Sequence, residues 1–165
     1  PQQRDAWQEV YNHTRLTTDQ EKLVSLFSRQ MNVLVSSGVW CGDCVQQCPL
    51  LQHIADANPE KVRLRFLDRD LHLDLAEQIK ICGGTRVPVA IFMAEDFEPV
   101  SVFGDRTITR YRAIAKRQLG ASCPIPGAPI DADELAGTLE DWVDEFERVH
   151  LILRLSTRLR QKYGD

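Results

Sequence analysis

An apolar, β-branched run, Asn32-Val33-Leu34-Val35-Ser36-Ser37, leads within a few residues into Trp40-Cys41-Gly42-Asp43-Cys44, after which Val45, Cys48, Leu51, Ile54 and Ala55 recur at helical spacing. This is a buried strand that delivers two thiols to the start of a helix. At such a helix start the Cys41 sulfur lies over unpaired backbone N–H groups and the positive end of the macrodipole, which favour its thiolate. Cys44, one turn further in, is placed to attack a mixed disulfide formed at Cys41, releasing the substrate thiol and closing an internal disulfide. A CxxC pair by itself also suits half a zinc site, a structural disulfide or coincidence. No second CxxC and no HxxxH supplies the remaining zinc ligands. Cys48 shares a helix face with Cys44, which keeps open a three-thiolate metal site from Cys41, Cys44 and Cys48. The more ordinary role for Cys48 is a small buried hydrophobe.

The rest of the chain alternates in period. Thr17 or Thr18 caps a helix to about residue 29, with Leu23, Val24 and Phe27 on one face. Pro49 should kink the helix that follows Gly42, because it removes a backbone donor and clashes with the preceding turn. Residues 61–68 alternate Val62, Leu64 and Phe66 with Arg63 and Arg65, the mark of a strand with one wetter face. Leu71, Leu75, Ala76 and Ile79 predict a helix over 71–81, stopped by Gly83-Gly84. Apolar strands over 87–93 and 99–103 flank a short turn and predict an antiparallel hairpin. Thr107 caps a last helix, with Ile108, Tyr111, Ile114 and Ala115, to about residue 118. The order describes a mixed α/β sheet with helices on both faces.

With 165 residues and 43% hydrophobic content, the chain can build one well-packed core with an extension. The predicted organisation is an N-terminal segment 1–17, a domain 18–118, a proline-rich connector 119–132 and a C-terminal helix 133–163. The connector carries Ser122-Cys123-Pro124-Ile125-Pro126-Gly127-Ala128-Pro129. Asp131 with Glu134 resembles a capping box. Leu135, Leu139, Trp142, Val143, Phe146, Val149, Ile152, Leu153 and Leu159 then form one apolar face, which must be buried. Packing back on the domain is the preferred outcome; a homodimer seam or a docking groove on another protein is the rival.

The net charge of −4, with signs mixed along the chain, offers no basic face for nucleic acid or an anionic membrane. No apolar run approaches a membrane span, and residues 1–15 lack a secretory apolar core. Pro1 leaves room for a removed leader or initiator Met. Five cysteines, one tight pair among them, suit a reducing compartment, and a cytoplasmic setting is expected. Cys82 and Cys123 belong to no motif. His13, His53, His72 and His150 are dispersed, with no carboxylate at a spacing for a Cys–His pair. Asp68 and Asp70 read as solvated loop.

Residues from about 18 to 118 resemble the thioredoxin family. The segment WCGDC resembles its WCGPC motif, Arg86-Val87-Pro88 before an apolar strand resembles its cis-proline loop, and Phe103-Gly104 resembles its phenylalanine-glycine turn. The resemblance implies an α/β thioredoxin fold, a central mixed β-sheet flanked by helices, here with a long C-terminal helical extension. It makes Cys41 the attacking thiol, Cys44 the resolving thiol and Pro88 a cis residue beside them. Val87 is implied to offer backbone hydrogen bonds to an extended substrate, and Trp40 to form an apolar rim. Two departures bear on mechanism. Gly42 and Asp43 are the modulating positions between the cysteines, and Asp43 replaces a proline with an anion that opposes ionisation of Cys41 while favouring the helix start. The family's buried aspartate has no equivalent, since Val35 occupies its place and the hydroxyl of Ser36 is no substitute base. The expectation is a thiol-disulfide oxidoreductase acting on protein or small-molecule disulfides, needing no metal or bound cofactor, with an external reductase to recycle it. The alternative is a binding or scaffold module that assembles through the C-terminal helix with little turnover.

Overall fold

The computed structural model describes residues 2–119 and 132–165. Four strands, β1 (Met31–Ser37), β2 (Val62–Asp68), β3 (Val89–Met93) and β4 (Pro99–Gly104), form one sheet in the order β2-β1-β3-β4. β1 pairs parallel with β2 and antiparallel with β3, and β3 and β4 form the expected hairpin. The sheet is therefore mixed. Central β1 is buried along its length except at Leu34, which is why its sequence is a nearly unbroken apolar run. Edge strand β2 buries Val62 and Leu64 and exposes Arg63 and Arg65, as its alternation predicts.

Helices α1 (Gln2–His13), α2 (Thr18–Ser25), α3 (Gly42–Ala57), α4 (Leu73–Gln78), α5 (Ile108–Leu119), α6 (Ala132–Leu155) and α7 (Thr157–Tyr163) surround it. Thr17 caps α2 through a reciprocal box, accepting from the Gln20 amide at 3.2 Å while its own amide donates to Gln20 Oε1 at 2.8 Å. α2 stops at Ser25, short of residue 29, because Asn58 Nδ2 donates to the carbonyls of Val24 at 2.9 Å and Phe27 at 3.2 Å and takes over the helix end. The helix expected over 71–81 is cut to α4, preceded by a 3₁₀ turn at Arg69–Leu71. Residues 79–81 leave the helix and lead into a tight turn with positive φ at Cys82 and Gly83, closed by an Ile81–Gly84 bridge. α3 runs through Pro49 as one helix. α1 was not foreseen; it lies on α3, where Tyr11 stacks on His53 at 4.0 Å and donates to Asp56 at 2.7 Å.

The apolar face of the tail packs back on the domain. Leu139, Trp142, Val143, Phe146, Val149 and Leu153 of α6 and Leu159 of α7 join the same core as β1 and α3. Phe146 meets Phe92 edge-on and Trp142 meets Phe103 likewise, each pair at 5.0 Å. Burying one such ring contributes about 4 to 6 kcal/mol before conformational entropy is charged. Ile152, expected on this face, is exposed instead. The single long helix breaks at Ser156, whose hydroxyl accepts from the Leu159 amide and caps α7. Asp96 in the β3–β4 turn then holds α7 through Arg158 at 2.5 Å and Lys162 at 2.7 Å. Buried Arg29 adds pairs to Glu95 and Asp165. Cys123, the proline-rich connector and the Asp131 box lie outside the described residues.

Candidate functional site

After β1 the chain turns at Gly38, where the Trp40 indole folds so close that a Cβ at position 38 would sit 2.5 Å from it. The turn sets Cys41 as the N-cap of α3, in extended conformation, with its carbonyl accepting from the Val45 amide at 3.0 Å. Cys41 is partly exposed, whereas Cys44, one turn in, is fully buried and accepts from the Gly38 amide at 3.4 Å. Both thiols are free.

The backbone N–H groups of Cys44 and Asp43 favour a Cys41 thiolate, as the helix-start argument expects, although none forms a capping hydrogen bond to the sulfur. They are outweighed. The neighbouring Cys44 thiol, followed by burial, pushes the Cys41 thiol above its ordinary range, against the thiolate that the helix start favours. For Cys44 the neighbouring Cys41 thiol favours the thiolate, but Cys48 and burial together push it up as well.

Across from Cys41 the Val87–Pro88 peptide is cis, and the Cys41 thiol lies 3.5 Å from the Val87 carbonyl oxygen as a donor. β3 therefore begins at Val89 and not at 87. Gly104 backs this loop: a Cβ there would fall 2.5 Å from the Pro88 carbonyl oxygen and 3.0 Å from Val89 Cα. Trp40, next to Cys41 in the chain, is 44% exposed, with the Arg69 guanidinium 4.4 Å above its ring. Arg69 also donates to the Thr85 carbonyl at 3.0 Å, tying the Trp40 ring to the segment before Val87.

Gly42 opens α3 with nothing within 4 Å of a would-be Cβ, so packing does not demand glycine there. Asp43 is not the isolated anion the sequence suggests. Arg106 pairs with it at 2.6 Å and Arg110 at 3.2 Å, and Arg110 in turn meets Glu134 of α6 at 2.5 Å. Behind them Asp105 is buried, accepting from the Tyr111 hydroxyl and from Arg86 at 3.2 Å. Burial works to raise its pKa, yet the bonds from Tyr111 and Arg86 prevail and hold it below the ordinary carboxylate range. Its carbonyl accepts from Gln47 of α3 at 3.0 Å, and Gln47 Oε1 accepts from the Trp142 indole at 3.1 Å, a buried chain from α6 to the site.

Val35 is fully buried, so no carboxylate stands where the resemblance would put one. Cys48 is buried and Cys82 exposed. Among the described residues no three His, Cys, Asp or Glu side chains are grouped to hold a metal ion, which removes the geometric support for a site at Cys41, Cys44 and Cys48. His53 and His150 are packing residues, the latter stacked on Phe27 at 4.6 Å. Sequence reasoning missed Arg69, Arg106, Arg110, Gln47 and Tyr111. The four-residue step from Arg106 to Arg110, which sets two guanidiniums on one side of Thr107, is the only signal that pointed to any of them.

A four-stranded mixed sheet, a helix that begins at two cysteines and a cis-proline loop facing them define the thioredoxin-like class of α/β fold. A family model described as Thioredoxin matches residues 1–116, and the chain belongs to that family. A search of curated proteins gives no match. Among solved structures, a Pseudomonas aeruginosa protein of unknown function is similar at TM-score 0.67 and 15% identity, over 90% of this chain and 83% of that one. An HIV epitope-scaffold is similar at TM-score 0.58 and 15% identity, over 92% and 82%. Thioredoxin from Fasciola hepatica overlaps 60% of this chain and 90% of its own, at 24% identity and TM-score 0.41. At 15% identity the first two likenesses speak for the fold alone. No helix among the described residues is long and apolar enough to cross a membrane.

Proposed function

We propose that the chain is a thiol-disulfide oxidoreductase that exchanges its Cys41/Cys44 dithiol with the disulfides of proteins or small molecules. The observation that carries this reading is the arrangement of a partly exposed Cys41 at the N-cap of α3, donating toward the Val87 carbonyl at 3.5 Å, with a buried Cys44 one turn behind it. Cys41 loses its proton to solvent and attacks one sulfur of the substrate disulfide. The substrate S–S bond breaks as the mixed disulfide forms, and the departing thiolate takes up a proton. Cys44 then attacks the Cys41 sulfur, closing the internal disulfide and releasing the second substrate thiol, so two electrons pass from the dithiol to the substrate. Val87 and Pro88 present backbone to an extended substrate segment, and Trp40 gives it an apolar rim. An external reductase returns the pair to the dithiol, the setting is the cytoplasm, and the exchange needs no metal, bound cofactor, nucleic acid or membrane.

Turnover of a chromogenic aryl disulfide, with dithiothreitol to recycle the protein, tests the reading. Wild type should exceed Cys41→Ser by at least a hundredfold; equal rates would leave a binding module as the better account. That second reading draws on the raised thiols and on Leu151 and Leu155, which α6 leaves exposed for assembly, as a homodimer or otherwise.

A further inference from the structure

One unbroken array of ion pairs runs beside the thiols, and it begins and ends on arginine. Arg86 meets Asp105 at 3.2 Å, and Asp105 meets Arg106 at 3.6 Å. Arg106 meets Asp43 at 2.6 Å, and Asp43 meets Arg110 at 3.2 Å. Arg110 and Arg117 both hold Glu134, each at 2.5 Å. The signs alternate, so four guanidiniums stand against three carboxylates and the array carries one positive charge in excess. Asp141, at the start of α5, accepts from the Thr109 amide at 2.8 Å and stands outside it.

The array also turns its cations outward. The Arg86 side chain is 44% exposed over an Asp105 that is 4% exposed, and Arg106 is 25% exposed over an Asp43 at 14%. Arg86 immediately precedes Val87, whose carbonyl oxygen lies 3.5 Å from Cys41 Sγ. A group that reaches Cys41 along Val87 therefore meets guanidinium before carboxylate. On the opposite flank the side chain lying on Trp40 is again a guanidinium, that of Arg69. The acidic groups there belong to the 3₁₀ turn, where Asp68 accepts from the Asp70 amide and Asp70 pairs with Arg69 at 2.6 Å.

We propose that the exchange at Cys41 selects disulfides that carry a carboxylate or another anion within a few bonds of the sulfur, and that Arg86 sets this preference with Arg106 beside it. The inference rests on the exchange proposed above and names its substrate class; the sulfur chemistry is unchanged. The anion pairs with the outward guanidinium, which raises the concentration of such disulfides at Cys41. Arginine suits the task because its fork can take a carboxylate through two N–H groups while another stays on Asp105. Arg86 is a specificity-determining residue and takes no part in the bond exchange. A half-exposed ion pair is a modest interaction, so the preference is a few-fold and is screened by salt.

In the whole chain carrying Cys82→Ser and Cys123→Ser, Cys44 and Cys48 are fully buried and Cys41 is the thiol that a probe meets. Stopped-flow absorbance gives its rate constants with dithiobis(nitrobenzoate), which is dianionic, and with dithiodipyridine, which is neutral, each divided by the rate of the same probe with free mercaptoethanol. Both probes report one thiol, so the ratio of the two is independent of its thiolate fraction. The ratio should favour the dianion about fivefold at low salt and fall toward one as potassium chloride rises from about 20 to about 500 mM. Arg86→Gln should lower it likewise, and Arg86→Lys should keep it. A ratio near one with Arg86 in place, or a ratio that neither salt nor Arg86→Gln changes, would overturn the inference and leave the exchange standing. No reaction of Cys41 with either probe would remove both.

Discussion

Asp43 and Arg106 are joined at 2.6 Å, an ion pair that ties the first turn of α3 to the segment after β4 and neutralises the carboxylate two residues beyond Cys41. The bond to Asp43 is also the chief reason the Arg106 guanidinium holds its proton above the ordinary range. Arg110 supplies a second cation to the same carboxylate.

Removing those cations should make Cys41 harder to ionise, because a bare anion beside a thiol opposes its thiolate. Arg106→Ala should slow iodoacetamide alkylation of Cys41 at pH 8 about threefold and the Arg106→Ala/Arg110→Ala pair about tenfold, a tenfold change being one pKa unit. Asp43→Asn in the double background should restore the rate. Rates that ignore all three changes would show that the pairs do not shield the thiol.

Both thiols of the reduced pair are raised, and the sign of the pH effect follows. Below the ordinary thiol value of about 8.5 both folded and unfolded chains are protonated and the full stability is present. Above it the unfolded chain ionises while the folded one does not, so stability is lost as pH climbs toward the folded values. The urea midpoint of the reduced protein should therefore drop more steeply from pH 8 to pH 10 than that of the oxidised protein, which has no such thiols to titrate. Parallel curves would contradict the raised values.

Asp105 works in the opposite direction. Its lowered pKa contributes stability that is present above the unfolded carboxylate value, about 3.9, and is lost as pH falls through the folded value. Tyr111→Phe removes one of the two bonds that prevail over burial, and should move the acid-unfolding midpoint to higher pH and cost about 1–3 kcal/mol at neutrality. Circular dichroism during acid titration of the two proteins measures the shift; coincident curves would dismiss the role of the phenol.

Trp142 carries both volume and a hydrogen bond. Trp142→Phe keeps a ring but orphans the buried Gln47 oxygen, at about 1–3 kcal/mol; Trp142→Ala should cost about 3–5 kcal/mol. Urea unfolding separates the two, and equal losses would mean that the indole N–H contributes nothing.

Much of this was legible beforehand because it is local. The passage from β1 through Cys41 into α3, the two-faced alternation of β2 and the hairpin of β3 and β4 are each written in adjacent residues. The apolar face of α6 could be read as needing burial, and Trp142, Phe146 and Val149 found it within the domain. What escaped notice depends on partners far off in the chain. α1 is held by Tyr11 against His53 and Asp56 and by Trp7 against Phe66, none of which marks residues 2–13 from within. α2 ends where Asn58 reaches its carbonyls. The break at Ser156 was hidden because Leu159 prolongs the apolar pattern across it. The two arginines on Asp43 were invisible for the same reason, and with them the compensation of its charge.

Since Trp142 reaches Gln47 and, through it, the backbone of Asp105, the final helices act as a splint for the thiol-bearing turn and not as luggage. An engineer who transplants residues 31–104 alone into a new scaffold would carry the sulfurs but leave behind the brace that steadies them.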